Sequence, residues 1–227
     1  MQIDIDRADL DQLLLRGNGA LLYAGAEGRI VRERGNGVII SDILEGARLC
    51  ELLRRVDPPE ADCFQVKSED AVRAVSGLYG LTPANRCSQW VYAGDAPPDC
   101  APRDIRLLQP EHAEFAAKHY HLYGDDPETV EIMRQTIAAG QLWGIFDAGR
   151  LAGFAGLHSE GSMGMLEILP DYRRRRLGFA LEAYLIGWHL RQGWTPYGHV
   201  MDGNGASCCL QEMLGMRRAA LPAIWIY

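Results

Sequence analysis

The 227-residue chain has no apolar run approaching the roughly 18 residues that a membrane-spanning helix needs. Its opening residues, Met1-Gln2-Ile3-Asp4-Ile5-Asp6, are acidic, with no basic stretch leading into an apolar core. The expectation is therefore a soluble, cytoplasmic protein with no membrane partner. Positive charge is in short supply: 23 Lys and Arg stand against 30 Asp and Glu, a net charge of −7. A surface of that sign repels polyanions, so nucleic acid is not expected as a partner. Metal motifs are missing as well. Cys50, Cys63, Cys87, Cys100 and the pair Cys208-Cys209 form no Cys-x-x-Cys and meet no histidine at zinc spacing. No metal is expected, and the thiols read as reduced and mostly buried. Neither Gly-x-x-x-x-Gly-Lys-Ser/Thr nor a strand-borne Gly-x-Gly-x-x-Gly occurs, which removes the common nucleotide-binding loops.

What the chain does contain is ample apolar material, 48% of its residues, in alternating helix and strand patterns. Residues 4–16 read as a short helix, and 20–24, 29–34 and 37–40 as three strands punctuated by glycine. Ser41 or Asp42 is placed to cap a helix that runs through Arg55 and stops at Asp57-Pro58-Pro59. A strand at 63–66, a helix capped by Ser68 and a strand at 86–92 follow. Gly94-Asp95-Ala96-Pro97-Pro98-Asp99 is the candidate linker, giving two domains, 1–96 and 103–227. Beyond it the pattern runs strand, two helices, hairpin, strand, long helix, strand, helix capped by Asn204, and final strands from Met216. The class is α+β with a mixed sheet.

One stretch organises the second domain. Leu166 to Leu169 end a buried strand, Pro170 stops it, and from Leu177 an amphipathic helix begins. Between them lie Arg173, Arg174, Arg175 and Arg176. Four cations at a helix N-terminus oppose the usual electrostatic preference, because the dipole and the orphan N–H groups there favour anions. A bound phosphate would relieve the conflict, and Gly178 allows the main chain to approach it closely.

These residues resemble the acyl-CoA-binding motif of the GNAT superfamily of N-acetyltransferases. Leu166, Ile168, Pro170, Tyr172, Arg173 and Gly178 fall on its pattern, and Arg176 stands where its first glycine is expected. Asn204, Ser207 and Leu210, then Leu214-Gly215-Met216, are similar to the closing part of such domains. The resemblance implies the GNAT fold over residues 103–227 and a degenerate GNAT-like half before it, as in FR47-like and glycine N-acyltransferase-like proteins.

It also implies acetyl-CoA as co-substrate, with acetyl passing by direct attack to a primary amine of a small molecule or amino acid. Ile168 and Leu169, the four arginines, Leu177, Gly178, Phe179 and Ala180 are implied to hold the cofactor, joined by Asn204 and Ser207. The backbone N–H near Ile168 is implied to polarise the thioester carbonyl. For the base that takes a proton from the amine, Glu167, Glu160 and His158 are candidates, since the family's usual glutamate position falls near Ser162 or Met163. Glu167 in an apolar strand reads equally as a carboxylate held by a loop arginine. The family's usual acid is a tyrosine at the position of Gln211, and an amide cannot donate that proton, which leaves Tyr197, His199 or water. A protein that binds acyl-CoA as a weakly catalytic regulator or scaffold is the alternative. Oligomeric state is not encoded legibly.

Overall fold

The computed structural model describes residues 3–56, 61–120 and 127–227. Helix α1 (Ala8–Leu15) buries Leu10 and Leu13, and β1 (Gly19–Gly25), β2 (Gly28–Glu33) and β3 (Ile39–Ser41) follow it. Then come α2 (Gly46–Val56), β4 (Phe64–Val66), α3 (Glu69–Tyr79) and β5 (Pro83–Val91). The second half contributes β6 (Asp104–Leu107), α4 (Ala113–His119), α5 (Pro127–Ala138), β7 (Leu142–Asp147), β8 (Arg150–Leu157) and β9 (Met163–Ile168). Helix α6 (Leu177–Arg191), β10 (Tyr197–Met201), α7 (Gly205–Met213) and β11 (Arg217–Ile226) complete the order. Among the described residues no helix is long and apolar enough to cross a membrane.

Helix starts follow short-range chemistry where a cap is available. Ser68 Oγ accepts from the Ala71 N–H at 3.1 Å, and Asn204 Oδ1 from the Ser207 N–H at 3.0 Å. Helix α2 departs from the expected cap. Ser41 ends β3 and Asp42 accepts from the Arg29 N–H, so neither is free to cap. The helix begins instead at Gly46, whose N–H donates to Asp70 Oδ2 of α3 at 2.7 Å. The expected stop at Asp57-Pro58-Pro59 lies outside the described residues, as do Met1 and Gln2.

The described strands form one mixed sheet in the order β1-β2-β3-β4-β11-β5-β10-β9-β8-β7-β6. That order reads as a near-palindrome. Each half supplies a hairpin, a third strand, a helix, a parallel fourth strand, another helix and a last strand, and the last strands are exchanged. β5 runs beside β10, β11 beside β4, and the two pair with each other antiparallel at the centre. The final strands expected from Met216 onward are thus a single strand, irregular between Arg218 and Pro222, where proline has no N–H to give.

Alternation along the strands separates the cores. Trp143 joins Leu181, Leu185 and Val200 in the cluster beneath α6, while its neighbour Leu142 joins Phe154 and Met165 beneath α4 and α5. Ile224 and Ile226 of β11 pack with α2 and α3 in the first half. Of the six cysteines, Cys50 and Cys87 are buried and Cys100 and Cys209 are exposed, fewer buried thiols than the sequence suggested.

Candidate active site

Between β9 and α6 the chain makes a 3-10 turn at Pro170–Tyr172 and then the arginine loop. Arg174 and Arg176 adopt left-handed backbone conformations, with φ of 59° and 60°, separated by one residue of negative φ. Such alternation turns successive N–H groups toward one side, the geometry of an anion-binding nest. Arg176 is the N-cap of α6 and makes no side-chain cap hydrogen bond. The first helical bond is from the Ala180 N–H to the Arg176 carbonyl at 3.1 Å. The preceding amides at the helix start have no protein partner among the described residues.

The four guanidinium groups divide in two. Arg173 Nε donates to the Ile168 carbonyl at 2.9 Å, and Arg175 pairs with Asp147 at 3.1 Å and donates to the Asp171 carbonyl. These two brace the loop. Arg174 and Arg176 are exposed and have no carboxylate partner among the described residues. A Cβ at Gly178 would lie 3.7 Å from Ile168, Leu166 and Leu210, ordinary contact, so packing alone does not demand glycine there. Leu177, Phe179 and Ala180 turn their side chains into the core, and of the three the Phe179 ring also meets the loop, under the Arg176 guanidinium.

Beside this loop the parallel strands β9 and β10 meet at one registered pair, Gly198 with Met163. A Cβ on Gly198 would sit 2.9 Å from the Met163 carbonyl, so glycine permits that contact. Beyond it the strands diverge into a cleft of about 130 Å³. A bulge at buried Met165, φ 52°, re-aims β9 just there: pairing with β8 jumps from Glu167 opposite Phe154 to Gly164 opposite Gly156. The cleft opens at residues 163–166, upstream of Ile168. Met163 to Leu166 line it, while Ile168 and Leu169 are not among its lining residues; the Leu169 N–H is given to the Ala152 carbonyl and the Ile168 carbonyl takes Arg173.

Helices α6 and α7 wall the cleft through Glu182, Asn204, Ser207 and Gln211. Glu182 is 6% exposed, and Gln211 Nε2 donates to its Oε2 at 2.8 Å. Burial, only partly offset by that hydrogen bond, pushes its carboxyl up to about 7. His199 of β10 also lines the cleft, with Nε2 3.2 Å from Gln89 Oε1. Gln89 donates its own amide hydrogen to the Ile5 carbonyl and its oxygen also receives Lys67, so the imidazole donates from Nε2 and keeps the lone pair on Nδ1. Burial drives His199 down to about 3 against the opposing pull of Asp9, with Lys67 and His158 lowering it further, so the ring is neutral.

The residues singled out from the sequence scatter around this cleft. His158, Asn204 and Ser207 line it. Glu160 and Tyr197 meet elsewhere: Tyr197 is fully buried and donates to the Glu160 carbonyl at 2.7 Å, while Glu160 accepts from Ser162 Oγ. Arg16, stacked 4.6 Å from the Trp194 ring, closes that cluster by donating to the Gly161 carbonyl. Glu167 is buried opposite Phe154 and is not among the residues that line the cleft. Glu182 escaped sequence reasoning, although it is the one acid in the otherwise apolar or basic α6, a signal legible in hindsight. Among the described residues no group of three or more His, Cys, Asp or Glu could hold a metal ion.

Residues 107–216 match the family model described as the acetyltransferase (GNAT) family. Solved structures share the fold. A Drosophila protein superposes with a TM-score of 0.65 at 18% identity, over 97% of this chain and 86% of its own. A protein assigned to the GNAT family from Novosphingobium aromaticivorans gives 0.60 at 21% identity, over 99% and 98% of the two chains. A GCN5-related N-acetyltransferase from Kribbella flavida gives 0.59 at 14% identity, over 98% and 93%. No curated protein gave a match. The family match thus identifies residues 107–216, which carry the arginine loop, the cleft and α7, as a GNAT acetyltransferase domain, and the fold is shared along nearly the whole chain.

Proposed function

We propose that the protein is an acyl-CoA-dependent N-acyltransferase that moves acetyl from acetyl-CoA to a primary amine of a small molecule or amino acid by direct attack. The observation that carries the reading is the cleft between β9 and β10 beside an uncapped α6 N-terminus rimmed by Arg174 and Arg176. A diphosphate suits the unpartnered amides and the free guanidinium forks, and Gly178 leaves room for its approach. The pantetheine arm then extends along Met163 to Leu166, with Asn204 and Ser207 opposite. The cleft gives a thioester and an amine nitrogen a common place to meet.

Of the five side chains singled out for proton transfer, Glu167, Glu160, His158, Tyr197 and His199, the two histidines line the cleft. His199 stands in the same space as a neutral ring that burial holds down to about 3, too weak a base to take the proton of the attacking amine, which leaves that role to His158. Residues 1–96 and 103–227 are read as two GNAT-like units, the first degenerate because its own loop after β3 carries buried Asp42 in place of arginines.

Two measurements test this. Thiol release from acetyl-CoA across a panel of primary amines is expected for at least one amine; tight binding with no release would favour the regulator or scaffold. In calorimetry, Arg174→Ala and Arg176→Ala are each expected to weaken CoA about tenfold, the worth of a charge-assisted hydrogen bond, without lowering the melting temperature. Unchanged affinity in both would remove the loop from the cofactor site.

A further inference from the structure

We propose that Glu182 is a catalytic acid, giving its carboxyl hydrogen to the coenzyme A sulfur as the carbon–sulfur bond of the thioester breaks. The inference rests on the acyl-transfer reading above and assigns a chemical role that the residue types of the loop leave open.

A thiolate expelled into this cleft meets no cation: neither lysine nor arginine is among the side chains that line it. Its charge must therefore be met by a proton. Gln211 cannot supply one, and His199 commits its ring hydrogen to Gln89. Glu182 is the sole carboxyl group lining the cleft among the described residues. It projects from α6 against α7, and the titratable groups that share the space are His158, His199 and Tyr120. With no lysine or arginine lining the cleft, burial outweighs the hydrogen bond from Gln211 and keeps it about half protonated near neutral pH.

Gln211 fits both states of this acid. Its Nε2 donates to Glu182 Oε2 at 2.8 Å, which suits the carboxylate. Its own amide oxygen is buried and has no partner. A half-turn of the amide brings that oxygen round to accept from the protonated carboxyl, since the two ends of the group have nearly the same shape.

The step balances. A neutral amine forms the nitrogen–carbon bond, and the carbon–sulfur bond breaks with its electron pair on sulfur. Glu182 gives sulfur a proton, making the free thiol. The proton shed by the new amide nitrogen returns through cleft water to the carboxylate, so one turnover leaves Glu182 as it began.

The test follows thiol release from acetyl-CoA, with the most reactive amine of the panel and with water alone, from about pH 6 to about pH 9. Native protein, Glu182→Gln and Glu182→Ala are compared; the glutamine keeps the contact with Gln211 and its melting curve confirms folding. Native kcat is expected to decline above about pH 7 as the acid loses its proton. Glu182→Gln should lower kcat about 100-fold, leave KM for acetyl-CoA unchanged and abolish that decline. Transfer by the native protein with a Gln variant of equal kcat, or one that keeps the alkaline decline, overturns the role of Glu182 alone. A changed KM for the amine at constant kcat would make it an acceptor-binding group and overturn the acid. A native chain that neither binds CoA nor releases thiol overturns the transferase reading beneath it.

Discussion

Arg176 occupies the place where the family pattern expects glycine, and its φ of 60° is the conformation glycine adopts without strain. An arginine there costs on the order of 1 kcal/mol in backbone strain. What the substitution retains is the turn of the nest, while an exposed guanidinium is added at its rim, 5.0 Å from the Phe179 ring. Glu182 is a second residue held against its preference, and its effect on stability has a definite sign. Its folded-state value, about 7, lies above the ordinary 4.5, so between those values the folded protein holds the extra proton and stability falls as pH rises. Glu182→Gln is therefore expected to raise stability by about 3 kcal/mol at pH 8 and by little below about pH 4.5. Denaturant melts at the two pH values check it; equal gains at both would mean that the carboxyl is not desolvated. His189 acts in the opposite direction. Burial first, then Arg16, lowers it to about 4, so the stability of its neutral form is lost as pH falls from 6.5 toward that value.

Helices α6 and α2 begin the same way in the two halves, each after a strand and before a parallel partner, yet they treat their N-termini differently. The Gly46 N–H of α2 is met by the Asp70 carboxylate, and that hydrogen bond in turn holds Asp70 below the usual carboxylate range. The strands beside it, β3 and β4, stay in register over Ile39 with Phe64 and Ile40 with Gln65. At α6 no side chain caps the helix, and β9 and β10 part after a single pair. An internal anion thus fills in the first half the position left open in the second. One CoA per chain is the expected calorimetric stoichiometry; a second equivalent bound with comparable affinity would contradict the closure of the α2 end.

Across the whole molecule, exchange of the last strands makes each half depend on the other. β11 lies between β4 and β5, and its Ile224 and Ile226 complete the core under α2 and α3, each worth about 2 kcal/mol of apolar burial. β10 has β5 as its outer neighbour. At the join, Lys67 and Asp9 form a fully buried ion pair that reaches His199 through Gln89, so a residue of the cleft is set by side chains from the first half. A fragment of residues 103–227 is expected to lack cooperative unfolding and to bind no CoA, because β10 and β11 would expose unpaired edges. A sharp thermal transition with native CoA affinity would show that the exchange is dispensable.

The sequence by itself determined the features whose causes lie within a few residues. The strand, the proline stop, the arginine loop and the helix from Leu177 are contiguous, and the caps at Ser68 and Asn204 act across three residues. Periodicity was enough for nearly every element, and a local motif was enough for the family. Only tertiary structure decided which carboxylate faces the cleft, that α2 takes its cap from Asp70, that Tyr197 spends its hydroxyl on Glu160, and that β5 and β11 change places. Those outcomes depend on pairs separated by 24 to 110 positions, Gly46 with Asp70, Gln211 with Glu182, Tyr197 with Glu160 and His199 with Gln89. Burial and the need to satisfy polar groups act between residues brought together by packing, and no spacing along the chain records that meeting.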